Sequence, residues 1–215
     1  MPDAFSQIFP PLGLRIEAGP LELRGIGPEE FLALLDVARA GIHPPEDMPF
    51  GFPWTETPPE HFALQYLQWW ASLAANWSQA NWDLELAVLW QGQVVGVQGV
   101  RAKDFLTLRH GETGSWLGMP HQGKGIGTAM RQALCAFLFD YLDFSVISSQ
   151  SFTDNAASLA VSRKVGFRDN GVSWLVRRGI AETMRNLSLR PEDLVRGPEL
   201  SVTGAEAMRA LVGLD

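Results

Sequence analysis

Apolar positions alternate with polar ones in some stretches of this 215-residue chain and recur every three or four residues in others, and the two periods mark strands and helices. The segment LGLRIEAGPLELRGI (12–26) reads as two short extended pieces around Gly19-Pro20. Gly27-Pro28-Glu29-Glu30 then puts a proline near a helix start and two acids in its first turn, where the helix dipole favours them. Leu32, Leu35 and Ala38 follow on one face, which predicts a helix over 28–40. Pro58-Pro59-Glu60 opens a second helix to about Asn76, with Phe62, Tyr66, Trp69, Trp70 and Leu73 at helical spacing. DLELAVLW (83–90), a Gln91-Gly92 turn and QVVGVQGV (93–100) form a β-hairpin pattern.

Further along, GETGSWLGM (111–119) is a strand, and GTAMRQALCAFLFDYL (127–142) is apolar around most of its circumference, as in a helix packed on a sheet. FSVISSQ (144–150) is a short β-rich run. A helix over 155–165 has Asp154 as its cap and Gly166 as its stop. VSWLVRRG (172–179) and TMRNLSL (183–189) read as two last strands, and a weak helical pattern follows Ser201. Residues 41–59 hold six prolines, so neither helix nor strand runs through them. Such a long loop is more often functional than idle. The mixed order predicts an α/β (α+β) fold. The length fits one domain over 1–215, with 1–20 as an N-terminal extension and 191–215 as a tail packed on it.

Composition narrows the class. With 46% hydrophobic and 19% charged residues the chain is not disordered. Its one cysteine, Cys135, forms no internal disulfide and falls in the apolar helix as filler, which suits a reducing compartment. No basic residue precedes Arg15, so the charged head of a signal peptide is missing. The longest apolar run, Ala133 to Phe139, is too short for a bilayer. A soluble cytoplasmic protein without a membrane partner is expected. Residues 1–60 carry ten acids against three bases, matching the net charge of −7, and no basic stripe offers itself to nucleic acid. The four histidines show no metal-ligand spacing, so no metal is expected.

The chemistry concentrates in Pro120-His121-Gln122-Gly123-Lys124-Gly125-Ile126-Gly127-Thr128, between a strand and a strong helix. Three glycines at alternate positions clear side chains from the turn, so that backbone N–H groups can approach an anion. The helix start adds unpaired amides and its dipole. A phosphate-bearing ligand follows. Gly118 to Lys124 has P-loop spacing, but Gly125 stands where the magnesium-binding hydroxyl belongs. Gly125-Ile126-Gly127-Thr128-Ala129-Met130 lacks the third glycine of a dinucleotide fingerprint.

What the loop does resemble is the (Gln/Arg)-x-x-Gly-x-(Gly/Ala) pyrophosphate loop of the GNAT N-acetyltransferases, matched by Gln122 to Gly127 at every fixed position. Downstream, Asn155-Ala-Ala-Ser158-Leu-Ala-Val161-Ser-Arg-Lys164-Val-Gly166-Phe167 is similar to the NxxSxxVxxKxGF signature of the RimJ/RimL-like branch. Upstream, Glu112-Thr-Gly-Ser-Trp116-Leu is similar to that branch's strand before the loop. The resemblance spans about residues 110–170. It implies a mostly antiparallel sheet with a central parallel pair of strands, about 114–119 and 144–150, that splay apart to admit an acyl-CoA. The donor would be acetyl-CoA or another short acyl-CoA. Its pantetheine would meet the strand at Leu117, Gly118 and Met119, and its pyrophosphate the amides of Gln122, Gly123, Lys124, Gly125, Ile126, Gly127 and Thr128. Asn155 would reach the pantetheine or phosphate end.

The same resemblance implies acyl transfer to the primary amine of a small molecule or a protein. An ammonium near pKa ~10 must lose a proton before it attacks, so a base is needed, and Glu112 is the candidate. A strand amide near Leu117 would serve the oxyanion. Many relatives carry a tyrosine where this chain has Ser162, and Ser158 is the candidate donor to the leaving thiolate. Trp54 and Trp116 would wall the acceptor site. The acids Glu46, Asp47 and Glu56 beside Phe50, Phe52 and Trp54 favour a cationic acceptor. Plainer roles stay open: Asn155 as a helix cap, Ser158 as a small packing residue, Glu112 on a solvated strand. A non-catalytic acyl-CoA-binding module is the alternative function, and a homodimer is compatible with either.

Overall fold

The computed structural model describes residues 4–214. The chain runs through helix α1 (Ala4–Ile8), strands β1 (Arg15–Ala18) and β2 (Leu21–Gly25), and helices α2 (Pro28–Ala40) and α3 (Pro59–Ala75). Strands β3 (Trp82–Trp90) and β4 (Gln93–Ala102) follow, then helix α4 (Phe105–Leu108), strand β5 (His110–Leu117) and helix α5 (Ile126–Tyr141). Strand β6 (Val146–Phe152), helix α6 (Ala156–Val165), strands β7 (Arg168–Arg177), β8 (Ile180–Leu189) and β9 (Ser201–Thr203), and helix α7 (Ala205–Leu211) complete it.

All nine strands join one sheet in the order β7-β8-β6-β5-β4-β3-β2-β1-β9. Every pairing is antiparallel except β5 with β6, as the fold reading expects. The parallel pair needs a crossover, and α5 supplies it. On β3, alternation sends Trp82, Leu84, Leu86 and Val88 into the core beneath α5 and α7, and Ala87 and Leu89 into a second core beneath α2 and α3. The sheet is therefore covered on both faces around β3, while β7 at its edge stays exposed along nearly its whole length. No helix among the described residues is long and apolar enough to cross a membrane.

Strand ends differ from the sequence reading where turn geometry decides them. Gln91 and Gly92 both have positive φ (52° and 80°), the twist a two-residue hairpin requires. Arg178 and Gly179 do the same (50° and 80°). The reading that ran a strand through 172–179 and restarted at 183 is thus corrected to strands over 168–177 and 180–189 around a tight Arg-Gly turn. Likewise the strand expected over 111–119 stops at Leu117, where Met119–His121 coil into a 3₁₀ turn containing Pro120. The strand placed over 144–150 starts at Val146, because Asp143 at φ 52° turns the chain and Phe144 N–H donates to the Leu138 carbonyl. Helix α4, which the sequence reading left unassigned, buries Phe105 completely between Trp82 and Phe144, with ring centroids at 5.1 and 5.0 Å.

Because Phe105 has no exposed surface, Phe105→Ala leaves a cavity between two aromatic partners. It is expected to cost about 3–5 kcal/mol in equilibrium urea unfolding. A loss under 1 kcal/mol shows that the site collapses around the gap.

Candidate functional site

The parallel ladder between β5 and β6 is short. It pairs His110–Thr113 with Val146–Ser149 and then stops, while β5 stays on β4 as far as Leu117 and β6 stays on β8 as far as Phe152. The two strands part into a V with Ser115 and Leu117 on its β5 side. Gly118 N–H donates to the Val95 carbonyl at 2.9 Å, which makes Gly96–Leu117 a non-hydrogen-bonded pair and turns the backbone N–H and C=O of Leu117 into the V. The Leu117 carbonyl accepts from Gln122 Nε2 (2.8 Å), whose other bond goes to the Ile42 carbonyl (2.7 Å). The Gln122 side chain is therefore a brace between loop and strand. Met119 is engaged at both backbone groups: its N–H donates to the Gly41 carbonyl, and its carbonyl accepts from Gln122 N–H. Of Leu117, Gly118 and Met119, only Leu117 turns an N–H into the V.

At the mouth of the V the chain enters α5 at Ile126, with Gly123 (φ 70°) and Gly125 (φ 84°) in left-handed conformations. The amides of Gly123, Lys124, Gly125, Ile126 and Gly127 donate to no acceptor among the described residues, whereas Thr128 N–H donates to the Gly125 carbonyl. Ile126 is core by its side chain, so only its amide faces the mouth. Five consecutive open amides at a helix start form an anion cradle. At Gly127, a Cβ would come into contact with Val161 Cγ2 of α6 at 3.4 Å.

On the opposite face of the sheet the register builds a trough. Asp83, Arg101 and Glu112 lie in one cross-strand row, Glu85, Gly99 and Gly114 in the next, Ala87, Val97 and Trp116 in the third. Glu85 lies over Gly99, where a Cβ would collide with its carboxylate, and a Cβ on Gly114 would meet nothing. The middle row thus runs from a carboxylate across two bare glycines to the edge of the V. Its wall is aromatic: Trp54 packs on Phe62, Tyr66 and Trp116 with centroids at 6.1, 6.0 and 5.8 Å, and Tyr66 on Trp69 at 5.0 Å. Burial, and then the neighbouring Asp83 charge, push the Glu85 carboxyl up to about 8. Burial also raises Tyr66, whose hydroxyl has no hydrogen-bond partner among the described residues. Glu112 is exposed and one row away, raised by partial burial against the opposing charges of Arg101, His110 and Lys103.

Beneath the V, Asn155 caps α6 by accepting from Ser158 N–H at 3.0 Å, the plainer of its two expected roles; this corrects the reading of Asp154 as the cap, whose carboxylate pairs with Arg177. Ser162 donates to the Ser158 carbonyl and accepts from Arg131 Nη1 (2.9 Å), while Arg131 Nη2 donates to Ser115 Oγ (2.9 Å). Over the trough, the proline-rich loop is pinned by the β7–β8 turn: Arg178 donates to the carbonyls of Pro45, Glu46 and Asp47 and to Glu56. Part of the loop's acidity is thus neutralised inside the protein. Glu85, Tyr66 and Arg131 were not among the residues singled out from the sequence. For Glu85 the available signal was a carboxylate inside the apolar run Leu84-Glu85-Leu86.

A family model described as a GNAT acetyltransferase domain matches residues 21–168. YdaF of Bacillus subtilis (strain 168), named as a ribosomal N-acetyltransferase, is 27% identical over 103 residues, 46% of this chain and 56% of that protein. The chain thus spans little more than half the length of that curated relative. Among solved structures, RimJ of Mycobacterium smegmatis in complex with CoA-disulfide superposes with a TM-score of 0.68 at 20% identity, covering 92% of each chain. RimL, a ribosomal L7/L12 alpha-N-protein acetyltransferase in complex with coenzyme A, superposes at 0.63 with 19% identity, over 80% of this chain and 95% of that one.

The raised Glu85 carboxyl has a consequence for stability. Unfolding returns it to the ordinary range near 4.5, so between there and about 8 the folded state holds a proton that the unfolded state has lost. The stability contribution is full below the lower value and fades as pH rises through the upper one. Glu85→Gln should therefore match the wild type at pH ~5 and exceed it at pH ~9 by at least about 1 kcal/mol, or about 2–4 °C in Tm. Equal melting temperatures at both pH values would show that the carboxyl titrates normally.

Proposed function

The chain belongs to the GNAT acetyltransferase family, and from that membership we propose that it transfers an acetyl group from acetyl-CoA to a primary amine carried on a cationic acceptor. The observation that carries this reading is the continuity of the V: the inward amide of Leu117 opens onto the five free amides of Gly123–Gly127. A thioester and a pyrophosphate need those two kinds of donor in that order. Leu117 N–H is placed for the oxyanion that forms when an amine adds to the thioester carbonyl. The cradle holds the diphosphate, with Lys124 beside it. Ser158, whose hydroxyl makes no hydrogen bond among the described residues, donates to the leaving sulfur.

The acceptor enters the trough. Its ammonium lies among the Trp54, Tyr66 and Trp116 rings and beside Glu85, both of which favour a cation. Glu85 then takes the proton that the amine must lose. A half-buried carboxyl near 8 accepts that proton far better than an ordinary surface carboxylate does. Glu112, across from Arg101, adds to the negative potential of the trough. The names of the relatives point to a protein amine, and a peptide N-terminus has the required charge.

Three measurements check this reading. Gly125→Val forces a β-branched residue into a left-handed conformation inside the cradle and should weaken acetyl-CoA binding in calorimetry by at least about tenfold, with the fold intact. Unchanged affinity removes the cradle from the site. Wild-type kcat/KM, followed by release of free CoA thiol with an amine-terminated peptide, should rise with pH through about 8 as Glu85 ionises. Glu85→Gln should lower turnover about 10²- to 10⁴-fold and flatten that rise, while Glu112→Gln keeps it. If Glu112→Gln flattens the profile and Glu85→Gln does not, the base is Glu112.

A further inference from the structure

Arg131 is buried at 5% exposure on α5, and no carboxylate forms an ion pair with it among the described residues. Its two terminal nitrogens meet serine hydroxyls, and its Nε has no partner. A buried, unneutralised guanidinium is costly, and in proteins such charges are paired or stand where an anion arrives. The two serines fix where this one stands. Ser115 is two residues past the last β5–β6 pair, at the apex of the V, and Ser162 lies on α6 across from it. The cation therefore sits at the point where the strands part.

We propose that Arg131 is the positive charge that stabilises the departing thiolate of CoA, in the place where relatives use the tyrosine that Ser162 replaces. This rests on the acyl-CoA reading of the V. When the tetrahedral adduct collapses, the carbon–sulfur bond breaks, its electron pair leaves on sulfur, and the amine proton has already passed to Glu85. The products are the amide, CoA thiolate, a protonated carboxyl and the second amine proton, which leaves the adduct nitrogen to water. Arg131 gives up no proton in this step. Its fixed charge lowers the cost of the anion, and its bonds to Ser115 and Ser162 keep the guanidinium at the apex. Burial disfavours its charged state, so an arriving anion restores what desolvation removes. Its titratable neighbour is Cys135, one turn along α5, whose thiol burial pushes up to about 12 and so leaves neutral. Among the described residues its hydrogen bonds to β5 and α6 go to the hydroxyls of Ser115 and Ser162, and Gln98, opposite Ser115 on β4, is uncharged. Arg131 thus acts as a positioning and electrostatic residue.

The test is the ionisation of the bound thiol, read by the ultraviolet absorbance of the thiolate while the CoA complex is titrated with base. In the wild type, CoA should ionise about one to two pH units below free CoA. Arg131→Met should bring it back to the free value or above, and Arg131→Lys should keep part of the shift. Removing an unpaired buried charge should also leave Tm unchanged or raised, with kcat falling and the KM for the amine little moved. A wild-type thiol that ionises like free CoA overturns the proposal without any variant. So does an equal shift in the wild type and Arg131→Met, or a lowered Tm with the thiol unaffected. If Arg131→Met does not fold or bind CoA, the Lys variant decides: retention of a shift supports the charge, its complete loss overturns it. Failure of the wild type to bind CoA at all defeats the acyl-CoA reading itself, and is seen separately in the calorimetry.

Discussion

The short parallel ladder between β5 and β6 governs the rest of the molecule. Four residue pairs hold the two strands together, and then each is claimed by another neighbour: β5 by β4 to its last residue, β6 by β8 as far as Phe152 opposite Met184. Both outer attachments are reinforced near the divergence. Gln122 ties the end of β5 to the loop after α2, and the Arg177 guanidinium lies over the Phe152 ring at 4.2 Å. An open strand edge is ordinarily a liability, since its unpaired N–H and C=O groups invite another chain. Here the edge is enclosed between α5 and α6 on one face and the aromatic wall on the other, so what it can pair with must be narrow.

The same split separates two ionisable groups, a half-buried carboxyl and a buried guanidinium. Glu85 lies on the α3 face in a row that reaches the V through Gly99 and Gly114, and Arg131 lies on the α5 face against Ser115. Neither makes an ion pair with the other or with any neighbour among the described residues. Each is costly for folding when considered alone. Below about pH 8 the Glu85 carboxyl keeps its proton, so of the two groups only the guanidinium carries charge there.

Much of this was legible from residue order. The glycine loop, the apolar α5, the capped α6 and the proline-rich loop all follow from local chemistry that tertiary contacts did not override. The trough was not legible, and the reason is one residue wide. Counting back from the Gln91-Gly92 turn pairs Glu85 with Gln98. A bulge between Val88 and Leu89 shifts the register, so that Glu85 faces Gly99. Without that shift its carboxylate would have no bare backbone to lie against. Arg131 was hidden for another cause: in an apolar helix an arginine reads as the solvated edge, and only the approach of β5 and α6 closes that edge off. The Arg178-Gly179 turn was missed because arginine is an uncommon residue at positive φ.

Gln122 joins the two halves of the site through a single amide group. Its nitrogen is shared between the carbonyl of Ile42, on the loop that roofs the trough, and the carbonyl of Leu117, on the strand that lines the V. A side-chain amide nitrogen has two hydrogens and a rigid plane, so the two acceptors are held at a fixed separation. Movement of the roof tilts that plane and draws on the Leu117 carbonyl, whose peptide plane ends in the Gly118 N–H bonded to the Val95 carbonyl on β4. The loop over the trough and the strand that lines the V are thereby tied through one side chain, and displacing either strains the same pair of hydrogen bonds.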